Sequence, residues 1–132
     1  MARGNKQPMK EKFSITARLA SFRNAWRGVK VFACQEHNAW IHGAMTVLVI
    51  AAGLFYRITT TEWIAVFFAI GLVFAAEAFN TAIERISDVV QPEKDDRIRD
   101  VKDISAGAVL ICAIIAAITG TFIFLPKLIS LF

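Results

Sequence analysis

Apolar residues fall along this chain in four blocks with two different patterns, and each block predicts a helix. In the first, Ile15, Leu19, Phe22, Trp26, Val29 and Ala33 recur at intervals of 4, 3, 4, 3 and 4. That spacing puts one apolar stripe on a helix over 14–34, with Ser21 and Asn24 on the far side. The other three blocks are apolar all round. Residues 39–56 contain only His42 as a group ionisable near neutral pH, 63–83 are interrupted by Glu77 and Asn80, and 104–125 carry no charge. A bilayer core takes about 20 helical residues, so membrane helices are predicted over 39–56, 63–88 and 101–125.

The predicted fold class is therefore an all-α membrane protein, a single membrane-embedded domain over 1–132. An N-terminal interfacial amphipathic helix precedes three transmembrane helices. Trp26 and Arg27 would meet lipid headgroups, and the stems of Arg18 and Lys30 can lie along the apolar stripe. A soluble amphipathic helix seated on a partner is the other reading of this block. Residues 1–12 are polar and basic, with Gly4 and Pro8, and are expected to be disordered. The small residues Ala113, Ala116, Ala117 and Gly120 form a seam on the third span suited to close helix contact. Three helices make a thin bundle, so a homo-oligomer is expected.

Composition agrees: 56% of the 132 residues are hydrophobic, and the mean hydropathy is +0.52. The net charge of +4 is unevenly spread. Eight Lys/Arg precede residue 39 and five lie within 84–103, against one in the 57–62 connection and one in the tail. By the positive-inside rule the N-terminus and second loop are cytoplasmic, and the first connection and C-terminus are outside. These charges flank spans and belong to no nucleic-acid-binding fold. Cys34 and Cys112 are isolated, with neither metal-type spacing nor a supported disulfide. No short apolar core with a cleavage site precedes Ala39, so no secretory leader is expected.

One stripe changes the picture. Glu77, Asn80, Glu84 and Asp88 fall within roughly an 80° arc of the second span at about 100° per residue. A carboxylate at membrane depth costs roughly 2.5 kcal/mol or more, so it persists facing a bundle interior or a wet cavity. A polar seam joining helices is the competing reading. The predicted topology also brings Glu36, Lys102 and Asp103 to the same inner membrane face. Carboxylates, an amide and a lysine there suit phosphoryl transfer, in which hard oxygens hold Mg²⁺ and a lysine neutralises phosphate. No P-loop or kinase-type glycine loop is present, so such a kinase would rely on metal and side chains. His37 and His42 read as interface or packing residues, and Asp88 as a solvated helix exit.

E-A-F-N-T-A-I-E-R-I-S-D (77–88) and V-K-D-I-S-A-G-A-V-L (101–110) resemble the signature of the small bacterial integral-membrane diacylglycerol and undecaprenol kinases. F-R-N-A-W-R-G (22–28) and E-H-N-A-W-I-H (36–42) are similar to that family's interfacial helix and the start of its first span. The resemblance covers about residues 13–125. It implies a homotrimer in the bacterial inner membrane with active sites between subunits. It implies Glu77 as catalytic base on the lipid hydroxyl, with Asn80 as the active-site amide. It further implies Glu36 and Glu84 as Mg²⁺ ligands that also serve the nucleotide site, and Lys102, Asp103 and Glu93 as ATP contacts. Lys94-Asp95-Asp96 departs from the aromatic or histidine common just after the Glu93 position, and Ala106 replaces a serine of some diacylglycerol kinases. N-T-A-I-E and the start of the first span look closer to the undecaprenol branch. The expected function is ATP-dependent phosphorylation of a membrane lipid alcohol. The alternative is a small proton-coupled transporter using Glu77.

Overall fold

The computed structural model describes residues 14–131, which form four helices: α1 (Ile15–Gln35), α2 (His37–Phe55), α3 (Thr60–Val90) and α4 (Asp96–Ile129). The segment 1–12, expected to be disordered, lies outside the described residues. The last three helices are each long and apolar enough to cross a membrane.

The chain divides into two units after Val31. The first is the body of α1, whose opening turn is capped by Ser14, the Oγ accepting from the Ala17 N–H at 3.4 Å. Its stripe of Ile15, Leu19, Phe22, Trp26 and Val29 is exposed. Glu36 is extended, with φ −102° and ψ 121°, and separates α1 from α2.

In the second unit α3 and α4 run antiparallel. Three side-chain ties fix their register: Glu62 to Lys127 at one end, Asn80 to Ser105 further along, and Asp88 to Lys102 near the connecting loop. With 31 and 34 residues, these helices measure about 46 and 51 Å, well beyond a hydrocarbon core of about 30 Å. Both extend further than the sequence pattern predicts. Asp95 caps α4, which begins five residues ahead of the predicted start at 101, its carboxylate accepting from the Arg97 N–H at 2.8 Å. Hydrogen bonds from the Arg97 side chain hold the Asp95 carboxyl down at about 2. A depressed carboxyl contributes above its unfolded value and is lost only as pH falls through the folded one, so this cap survives mild acid. At the other end Pro126 sits within the final turn, where it forfeits a single ladder bond and α4 continues to Ile129.

The connection between α2 and α3 is a Schellman closure. Arg57 takes the left-handed conformation with φ 51°, its N–H bonding the Leu54 carbonyl and the Ile58 N–H bonding the Gly53 carbonyl. Thr59 then caps α3 through a reciprocal capping box with Glu62. Gly53 is needed for space: a Cβ there would lie 2.7 Å from the Trp63 ring and 3.1 Å from Ile58 Cδ1. Trp63 is stacked on Phe67 with centroids 5.4 Å apart, so it cannot easily yield. Gly53→Ala is expected to destabilise the fold by about 1–3 kcal/mol, the usual cost of overpacking, read as a lowered thermal midpoint in detergent.

The small core lies at this end: Ile58, Val66 and Ile123, supported by Val49, Tyr56, Trp63 and Phe124. An apolar groove of about 710 Å³ runs among α2, α3 and α4 from His42 to Leu128. Little of α4 is buried, and most of its large apolar side chains are exposed. Such surface is stable only against lipid or another protein chain.

Candidate active site

The buried polar groups of α3 occupy its half nearer the α3–α4 loop, and neighbouring helices meet them from two sides. Glu77 lies 13 residues, about 20 Å, before the end of α3 at Val90. It is 4% exposed, and its Oε1 is 3.0 Å from His42 Nε2 on α2. A carboxylate so enclosed needs a donor, since burial without one is costly. His42 is that donor. The sequence reading of His42 as a packing residue holds, since it packs edge-on against Phe74, but its ring nitrogen also serves Glu77.

One turn on, Asn80 is buried between two partners. Its Nδ2 donates to Glu84 Oε1 at 3.0 Å, and its Oδ1 lies 2.6 Å from the Ser105 hydroxyl on α4. That hydroxyl also reaches the Lys102 carbonyl at 2.8 Å. The amide is thus fixed in orientation, with its acceptor toward α4 and its donor toward an acid. Among the described residues no buried side-chain nitrogen or oxygen lacks a partner. A fully satisfied polar array is rigid, which favours precise placement of its members.

Nearer the loop, Arg85 Nη2 donates to Glu36 Oε1 at 2.6 Å, tying the start of α2 to α3. Lys102 pairs with Asp88, which is exposed near the end of α3 in keeping with its reading as a solvated helix exit. Beyond them a polar cavity of about 440 Å³ is lined by Asp88, Glu93, Lys94, Asp95, Arg99 and Lys102, among others.

The candidate residues are thus partly assembled. Glu93 and Lys102 share the loop cavity, whereas Asp103 is exposed and does not line it. Glu36 engages Arg85 and Glu84 engages Asn80. Among the described residues no three His, Cys, Asp or Glu side chains gather closely enough to hold a metal ion. Trp26 is exposed on α1, as is Arg27. The partners that sequence reasoning missed are His42, Ser105 and Arg85. His42 carried one usable signal, as the only group ionisable near neutral pH within the first span.

Spans of this length with a buried acid, a fixed amide and a charged loop cavity at one end define a small multi-pass membrane protein with a polar site at one membrane boundary. Residues 23–124 match the family described as prokaryotic diacylglycerol kinase. The chain is 38% identical over 108 residues to an undecaprenol kinase of Bacillus subtilis (strain 168), covering 82% of this chain and 88% of that protein. It is 35% identical over 114 residues to a diacylglycerol kinase of Synechocystis sp., covering 86% of this chain and 65% of that longer relative. The chain belongs to the prokaryotic diacylglycerol kinase family.

Proposed function

We propose that this integral membrane protein is a lipid kinase, transferring the terminal phosphoryl group of ATP to the hydroxyl of a membrane lipid alcohol. The observation that carries the reading is the Glu77 carboxylate, held at membrane depth by one hydrogen bond, on the same helix as groups that lead to a charged cavity at the loop. A lipid hydroxyl can arrive from the bilayer while a nucleotide arrives from water. Transport through Glu77 finds no support, since both relatives are named as kinases.

In this reading Glu77 accepts the hydroxyl proton as the oxygen attacks phosphorus. Asn80, held by Ser105, orients the reacting groups. Glu36 and Glu84 offer hard carboxylate oxygens, and Mg²⁺ commonly takes one or two carboxylates with phosphate oxygens and water completing its shell. The donor type fits, and two carboxylates from this chain suffice without a three-residue cluster. When bound, the cation would neutralise phosphate charge. Glu93, Lys102 and Asp103 contact the nucleotide, with Lys102 exchanging its Asp88 partner for phosphate. The charged Lys94-Asp95-Asp96 segment offers the base polar groups at the loop cavity.

We assign the chain to a single functional domain over 1–132. Its α1 lies in the cytoplasmic interface through Trp26 and Arg27, the N-terminus is inside and the C-terminus outside. The exposed faces of α2 and α4 suit a homotrimer in the bacterial inner membrane. The relative covered over most of its length is an undecaprenol kinase, which favours undecaprenol over diacylglycerol as acceptor.

Labelled phosphate transfer from ATP with Mg²⁺, by purified protein in mixed micelles offering undecaprenol or diacylglycerol, tests the assignment. A labelled lipid phosphate is expected, more abundant with undecaprenol. Absence of product from both lipids, with protein of native helicity, would overturn the kinase reading.

A further inference from the structure

We propose that His42 is the positioning residue for Glu77, donating from Nε2 so that one carboxylate oxygen is held and the other is aimed at the acceptor hydroxyl. The proposal rests on the kinase reading with Glu77 as proton acceptor.

Three observations carry it. First, His42 is the only hydrogen-bond partner of Glu77 among the described residues, at 3.0 Å to Oε1. Oε2 has no hydrogen-bond partner among the described residues and is not fully buried. It is the oxygen left for substrate. Second, the imidazole is itself held. Its ring meets Phe74, one turn from Glu77 on α3, with centroids 6.4 Å apart at 68°. Third, His42 lines the apolar groove among α2, α3 and α4, whereas Glu77 does not. The residue thus borders the groove and meets the carboxylate through Nε2.

The chemistry favours a histidine here. An ionised carboxylate only accepts hydrogen bonds, so the facing Nε2 must carry the proton. A neutral N–H donor orients the acid with a charge-assisted bond. A lysine or arginine in its place would bring a full opposite charge and oppose proton uptake. Orientation matters because a displacement of about 1 Å at a reacting group can cost on the order of 10²-fold in rate.

The test compares His42→Gln with His42→Asn in the purified, full-length protein in mixed micelles. The glutamine amide nitrogen reaches roughly the place of Nε2, and the asparagine amide falls short by one methylene at equal polarity. His42→Gln is expected to keep kcat within about threefold of the parent, and His42→Asn to lose about 30- to 100-fold in kcat, with KM for ATP within about twofold in both. Equal kcat values for the two variants would overturn the proposal, as would a loss in His42→Asn expressed only in KM. Thermal midpoints of both variants exclude unfolding as the source of the difference. No lipid phosphate from the parent protein would instead sink the kinase reading. A parent that turns over, with Glu77→Gln inactive and His42→Asn fully active, would sink the positioning role alone.

Discussion

Glu77→Gln is expected to lower kcat by about 10²–10⁴-fold, the usual contribution of a positioned general base, with the protein still folded. The argument for a clean result is geometric. Glutamine keeps the size of the side chain, and its carbonyl oxygen can still accept from His42 Nε2 where Glu77 Oε1 does so now. What disappears is the ability to take up a proton at the second position. The change also removes a charge from a 4% exposed site at membrane depth, so stability should hold or rise. Two measurements settle it together: labelled phosphate transfer under saturating ATP, and the thermal midpoint in the same detergent. Parental turnover in a folded variant would remove Glu77 from the role of base.

The sequence and the structure agree wherever the determinant is periodicity. Three spans and an amphipathic helix follow from blocks of apolar residues, because the apolar environment and the 3.6-residue repeat leave few other solutions. Disagreements arise where a single local contact decides. The start of α4 depends on whether Asp95 or a later acid accepts from the backbone, and composition does not distinguish them. The turn after α2 places Arg57, which is not a glycine, in the left-handed conformation. Gly53 makes room for the Trp63 ring, a close approach between positions ten residues apart in sequence.

The site shows the same division. The stripe of Glu77, Asn80, Glu84 and Asp88 was legible because one helix holds all four. Their partners were not, because His42, Ser105 and Lys102 lie on other helices and the pairing depends on the register of α3 against α2 and α4. The arc that looked like one face in fact divides. Glu77 turns to α2, whereas Asn80 and Asp88 turn to α4. Such a division distributes the work: the acid proposed to take a proton is set by one helix, and the amide by the other.

Asn80 at the junction gives the second large effect. Asn80→Ala removes a donor from Glu84 and an acceptor from Ser105 at once. Two polar groups are left short of a partner, and each buried one costs about 1–3 kcal/mol. The Ser105 hydroxyl can fall back on the Lys102 carbonyl at 2.8 Å, so the larger penalty falls on Glu84. Activity should drop by about 10- to 100-fold, since a carboxylate proposed to serve the nucleotide site loses its orientation. Ser105→Ala alone should be milder, because Asn80 keeps its bond to Glu84. The double variant Asn80→Ala/Ser105→Ala should be no worse than Asn80→Ala, as the hydroxyl has already lost that partner. The expected signature is a coupling energy of about 0.5–3 kcal/mol in a double-mutant cycle, read from thermal midpoints and from kcat. Strict additivity would mean that the Ser105–Asn80 contact carries no energy. Parental activity in folded Asn80→Ala would mean that Glu84 is positioned by something other than this amide.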